Sequence, residues 1–249
     1  MSKISQKQQE ILDRERQILV AARSQVEERG YLGLSMDSLA TDVGYSKGTV
    51  YNHFGSKEEI LLALAIETQQ KQSAMFRRAA AYAGTSRQRM AAVGVADELF
   101  VRLYPQHFQI EQVVFVSSIW EKTSEKMRFQ MRSSQQSCMG VVAGIVRDAV
   151  ASQDLVLPEE MEPEDVVFTV WSLSFGAHSI LSQSGSLTEL GIEEPFKAIR
   201  HGINHTLDGF GWGPLSDEYD YLALFDRLPE ELFADELSSH TTRQRGAQS

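Results

Sequence analysis

Within residues 46–57 stand Ser46, Lys47, Thr49, Asn52, His53 and Lys57, and no carboxylate occurs between Gly44 and Lys57. Hydroxyl, amide and ammonium groups on an anion-free stretch are suited to hydrogen bonding with the phosphates and base edges of a nucleic acid. Helical spacing turns Lys47, Thr49, Asn52 and His53 outward, and Val50 and Phe54 inward. Ser46 fits the N-cap of such a helix, and Gly48 lets the backbone approach a phosphate closely.

Two other chemistries have partial signatures. Gly44-Tyr45-Ser46-Lys47-Gly48 spells G-x-S-x-G, but a nucleophile elbow needs an apolar strand before it. The preceding residues have helical spacing and include Asp37 and Asp42, so a hydrolase is not expected. His201 and His205 share the i, i+4 spacing of metal ligands, with no supporting HExxH run or nearby cysteine. A packed or interfacial pair is the simpler reading. No acid–base or metal constellation emerges, and neither a cofactor nor an enzyme is expected.

The elements that must position the polar stretch come next. Gln8–Arg29 has a helical apolar stripe (Ile11, Ile18, Leu19, Ala22, Val26), and Gly30 can close the helix with positive φ. Ser35 then fits an N-cap, Asp37 a favourable first turn, and Met36, Leu39, Ala40 and Val43 a short apolar stripe that Gly44 ends. Two short helices around a tight turn make a helix-turn-helix. Ser56-Lys57-Glu58-Glu59 is a capping box opening a helix to about Tyr82, a rod of roughly 40 Å.

The rest reads as helix. The spans are Ser86–Tyr104 ended by Pro105, Phe108–Trp120, Glu125–Ala151, Glu164–Gln183 and Pro195–Phe210. The last two carry small residues (Ser172, Gly176, Ser179; Ala198, Gly202, Thr206, Gly209) beside their apolar stripes. Helices with two usable faces can serve a core and a second copy, so a homodimer through 164–183 and 195–210 is expected. Ser216–Leu237, with eight carboxylates and one Arg, reads as one or two short helices docked on the core, and 238–249 as a disordered tail. The class is all-α. The expected domains are a DNA-binding helix-turn-helix over 8–57, a helical ligand-binding and dimerisation domain over 58–212, an acidic extension over 213–237 and the tail.

The chain has 249 residues and a net charge of −10, which argues against nucleic acid until its distribution is seen. Residues 1–66 carry 8 Lys/Arg and 9 Asp/Glu, so nearly all the negative excess lies beyond them. The single cysteine, Cys138, fits a reducing compartment, the N-terminal residues are polar, and no apolar run approaches the ~20 residues of a bilayer span. A cytoplasmic protein without membrane contact is expected.

The run GYSKGTVYNHFGSKEEIL closely resembles the signature of the tetracycline-repressor (TetR) family of bacterial transcription regulators. The helix ending ERGY and the segment LSMDSLATDVG resemble it too, and the likeness covers about the first quarter of the chain. It implies a homodimer on a palindromic operator, each copy placing the 47–53 helix in the major groove, with half-sites about one duplex turn apart. Carried over residue by residue, it implies that Ser46, Lys47, Thr49, Tyr51, Asn52 and His53 are groove or phosphate contacts. Lys47 and Thr49 are then the best base readers, Gly48 the site of main-chain approach, and Lys57 a phosphate contact at a helix N-terminus.

The family's habit of binding a small effector in the C-terminal domain implies a ligand-responsive regulator, in the first instance a repressor. Phe100, Phe115, Trp120, Met131, Trp171 and Phe175 can line a cavity, while Asp97, Gln135 and His178 interrupt apolar stripes as orienting groups do. The expected effector is a mainly apolar small molecule. The rival readings are a helical small-molecule-binding protein and an architectural DNA binder without ligand control.

Overall fold

The computed structural model describes residues 5–114, 117–183 and 187–247, and every long element among them is an α-helix. In chain order these are α1 (Gln6–Gly33), α2 (Met36–Asp42), α3 (Lys47–His53), α4 (Lys57–Ala80), α5 (Ser86–Leu103), α6 (Pro105–Val114), α7 (Ser117–Glu121), α8 (Glu125–Ala151), α9 (Pro163–Gln183), α10 (Pro195–Gly209) and α11 (Tyr221–Ala247). One short 3-10 turn, Thr188–Leu190, precedes α10. Ser5, Ser35, Ser46 and Thr85 each cap a helix by accepting a backbone N–H, because the first turn has no intrahelical acceptor for it. Prolines 105, 163 and 195 open helices at their first residue, where the missing N–H costs nothing. Gly30 takes φ 67° and breaks α1 where the sequence places its end, one short turn before Gly33.

The chain forms two compact units whose bounds differ from the expected domains. The first joins residues up to Gln69 with Gln106–Ser134; the second joins Gln70–Pro105 with the chain from Gln135 onward. The division follows the buried side chains. Ile110, Val114, Ile119 and Met131 lie in the same apolar cluster as Ile18, Leu39, Val50, Phe54 and Leu61. Helices α2 and α3 have 7 residues each and bring few apolar side chains to α1, and segments far along the chain complete the core.

In the second unit α11 packs along α5. Tyr221, Leu224, Phe225, Leu228 and Phe233 are buried there, in a core with Phe100, Val146 and Trp212. Trp212 donates its indole N–H to Ser86 Oγ at 3.0 Å, and that hydroxyl donates to Asp154 at 2.7 Å. Where one or two short helices were expected, two helical stretches follow each other across a kink at the non-helical Phe233, with Pro229 in the first, and the second runs on to Ala247 where a disordered tail was expected. Once an apolar stripe has nucleated a helix, each further residue adds a hydrogen bond at little extra entropy, so polar composition alone does not end it.

The described part of the region 108–120 is helical, in α6 up to Val114 and in α7 from Ser117. Among the described residues no helix is long and apolar enough to cross a membrane.

Phe100 is fully buried in the second core and packs on Tyr104 at 5.8 Å between ring centroids. Phe100→Ala is therefore expected to lower stability by about 3–5 kcal/mol in urea unfolding, through lost burial and the cavity left behind. An unchanged midpoint would contradict the packing.

Candidate nucleic-acid interface

The polar stretch is mounted on a small, tightly bonded frame. Gln25 on α1 is 2% exposed. Its amide nitrogen donates to Asp42 Oδ2 at 2.7 Å and its oxygen accepts from Ser38 Oγ at 2.9 Å, which fixes α1 against α2. Gly44, at φ 69°, makes the turn that leads from α2 into α3. On α3, Ser46 Oγ accepts the N–H of Thr49 at 3.1 Å and lies 2.8 Å from its hydroxyl, while Val50 and Phe54 anchor the inner face. Ser46 is thus a helix cap and no nucleophile.

The predicted contact residues fall into three groups. Ser46, Lys47, Gly48, Tyr51 and Asn52 are exposed on one side of α3, with Thr49 half-buried beside them. Lys57 is half-buried, its ammonium 4.6 Å above the Tyr31 ring. The His53 side chain is only 9% exposed and its Nδ1 lies 3.4 Å from Glu15 Oε1 on α1, so it is turned toward the frame and not, as expected, outward.

A second correction concerns charge. The sequence window is free of carboxylates, but folding brings Asp37 to 2.6 Å from the Lys47 ammonium. The Asp37 hydrogen bond holds that ammonium above the ordinary lysine value.

The start of α4 is clamped in a way the sequence does not reveal. Ser56 Oγ accepts the N–H of Glu59 at 3.1 Å and donates to the carbonyl of Lys122 at 3.1 Å. The Glu59 carboxylate accepts the N–H of Gly55 at 2.9 Å with one oxygen and that of Ser124 at 3.0 Å with the other. Glu58 accepts from the Tyr31 hydroxyl at 3.0 Å and lies 3.5 Å from the Lys122 ammonium. Burial pushes both carboxyls up, but these donors outweigh it and hold them below the usual carboxylate value. Burial, with Glu58, raises the Tyr31 phenol to about 12.

Of the nine residues expected to line an effector cavity, the eight described ones are divided between the two units. Trp120 and Met131 belong to the first unit, where Met131 is core and the Trp120 indole donates to Val114 O at 2.7 Å. Phe115 lies outside the described residues. In the second unit Phe100 is core and Gln135 is half-buried. Trp171 and Phe175 form a row on α9 with the 61% exposed Phe168, at 6.0 and 6.1 Å between successive ring centroids.

Asp97 and His178 do meet. The Asp97 carboxylate accepts from Ser174 Oγ and, at 3.2 Å, from Gln72 Nε2, and it lies 3.5 Å from His178 Nδ1. Beside them is a hollow of about 20 Å³, lined also by Glu98, Arg200 and Asn204. That is room for one water molecule. Ser174 and Gln72 were missed because a serine and a glutamine inside helical patterns give no signal until their partners are placed. On α10, the rings of His201 and His205 stack at 6.4 Å between centroids.

Comparison with known proteins agrees with this frame. Residues 18–64 match the family described as bacterial regulatory proteins, tetR family. The HTH-type transcriptional activator FasR of Mycolicibacterium smegmatis is 28% identical over 134 residues, 54% of this chain and 59% of that protein. The HTH-type transcriptional repressor AcnR of Corynebacterium diphtheriae is 41% identical over 58 residues, 23% of this chain and 30% of that protein. The alignments thus span less than two thirds of either relative. A tetR-family regulatory protein from Rhodococcus RHA1 has the same fold, at a TM-score of 0.61 and 16% identity, covering 80% of this chain and 97% of that one.

The clamp has a pH consequence. Because folding lowers the Glu58 and Glu59 values below the ordinary 4.5, their contribution is present above that value and is lost as pH falls through the folded values. The first unit should lose stability below about pH 4.5, and Glu58→Gln with Glu59→Gln should flatten that part of the acid unfolding curve. An acid slope identical in wild type and double variant would contradict the assignment.

Proposed function

We infer that this chain, which belongs to the TetR family, is a DNA-binding transcription regulator that works as a homodimer on a palindromic operator. The observation that carries the reading is α3 itself. It is a helix capped by Ser46, held from behind by Val50 and Phe54, and presents Lys47, Thr49, Tyr51 and Asn52 from one exposed side. In the major groove such a helix reads base edges, while Lys57 and the N-terminus of α4 meet phosphate. The relative with 41% identity over 58 residues is named a repressor, and we assign this chain the same sign of regulation.

Dimerisation is proposed through α9 and α10. Phe168 and Ile180 are 61% and 58% exposed on α9, beside Ser172 and Gly176, and α10 offers Ala198, Gly202 and Gly209. Large apolar side chains next to residues that admit close backbone approach make a self-complementary face.

Effector control is proposed to act through the polar trio Asp97, Ser174 and His178. A mainly apolar molecule whose one polar group meets this trio would have to widen the hollow to enter it, and would so favour a form that no longer fits two half-sites.

Two measurements test this reading. In gel-shift assays on a panel of duplexes, Lys57→Ala should weaken binding to all sequences alike, whereas Thr49→Ala should change the preference among them by about 1–3 kcal/mol at one position. Binding untouched by either change would reject α3 and α4 as the docking elements. Phe168→Glu should convert a dimer to a monomer in light scattering, with loss of operator binding and an intact melting transition. A persisting dimer would reject the α9–α10 face.

A further inference from the structure

Lys47, the first residue of α3, is already engaged before any DNA is bound. Its ammonium lies 2.6 Å from Oδ1 of Asp37, in the first turn of α2. The two side chains are 57% and 68% exposed, so the fold has little need of the pair. The carboxylate also stands beside the surface that would meet a polyanion.

We propose that Asp37 is a specificity-determining residue, which weakens contact with arbitrary phosphate by neutralising Lys47 and leaves binding to depend on the bases read. The inference rests on the reading of α3 as the groove helix. On random DNA, Lys47 can reach a phosphate only by leaving Asp37, and it then leaves a bare carboxylate next to the duplex. The gain of one cation is offset by the exposure of one anion.

In the major groove the balance depends on sequence. Guanine O6 and N7 can accept the ammonium, and the N4 amino group of cytosine or the N6 amino group of adenine can donate to the freed carboxylate. Only certain base steps offer both. The penalty therefore applies to all DNA and is relieved at matching sites.

The test compares full-length variants on a random-sequence duplex and on a duplex that wild type selects from a random pool, across about 50–200 mM salt. On random DNA, Asp37→Asn should steepen the dependence of log affinity on log salt by ~0.9 for each copy bound, the value of one more neutralised phosphate per α3. The ratio of selected to random affinity should fall, and Asp37→Glu should behave as wild type.

Lys47→Met leaves α2 untouched. It should not alter the random-DNA slope while Asp37 is present, and should lower it by ~0.9 for each copy bound in the Asp37→Asn background. An Asp37→Asn protein with unchanged slope and ratio overturns the proposal. So does a Lys47→Met protein that loses ~0.9 per bound copy from the slope with Asp37 in place. If wild type enriches no sequence at all, the reading of α3 fails and the inference with it, an outcome distinct from enrichment that Asp37→Asn leaves unaltered.

Discussion

Glu59 accepts two backbone N–H groups at once, Gly55 with one oxygen and Ser124 with the other. One carboxylate thereby starts α4 and holds the residue that precedes α8. Ser56 repeats the link, capping α4 while donating to Lys122. Because a charge-assisted bond to a backbone N–H is short and directional, the clamp fixes the start of α4 against the turn before α8. What looks along the chain like a separate reading module is built around this joint. α6, α7 and the first part of α8 share its core, and the Thr68 hydroxyl and Arg23 guanidinium both meet His107 of α6. α4 and α8 each contribute residues to both units.

Much of the head was legible because its signals are local. Caps at Ser35 and Ser46, a positive-φ glycine at Gly44 and the inward Val50 and Phe54 are decided within a few residues, and all stand where the spacing puts them. The all-α class followed from periodicity in the same way. What escaped reading depends on partners far along the chain. Nothing in Lys122 or Ser124 marks them as acceptor and donor for α4. Trp120 and Met131 resemble cavity residues in a stripe, and only the fold assigns them to the core of the head. The polar tail beyond Leu237 misled because composition says little about whether a nucleated helix will continue.

Charge taught a related lesson. A window without carboxylates along the chain is not a face without carboxylates in space. Asp37 and Glu15 lie outside residues 44–57, yet they meet Lys47 and His53. The head is near neutral in sum and also locally balanced, so in the proposed function its affinity for DNA comes from placed hydrogen bonds as much as from net attraction. The acidic C-terminal helix is accounted for without invoking a partner: its apolar side is buried along α5, and Arg78 and Arg200 pair with Glu236 and Asp226.

The central claim is that α3 reads sequence from the major groove in two symmetric copies. Selecting bound duplexes from a random pool with the purified full-length protein tests it most directly. The account predicts enrichment of an inverted repeat with half-sites about one duplex turn apart. A pool that stays unenriched while the protein still binds DNA, or one enriched for a single unrepeated site, would contradict it.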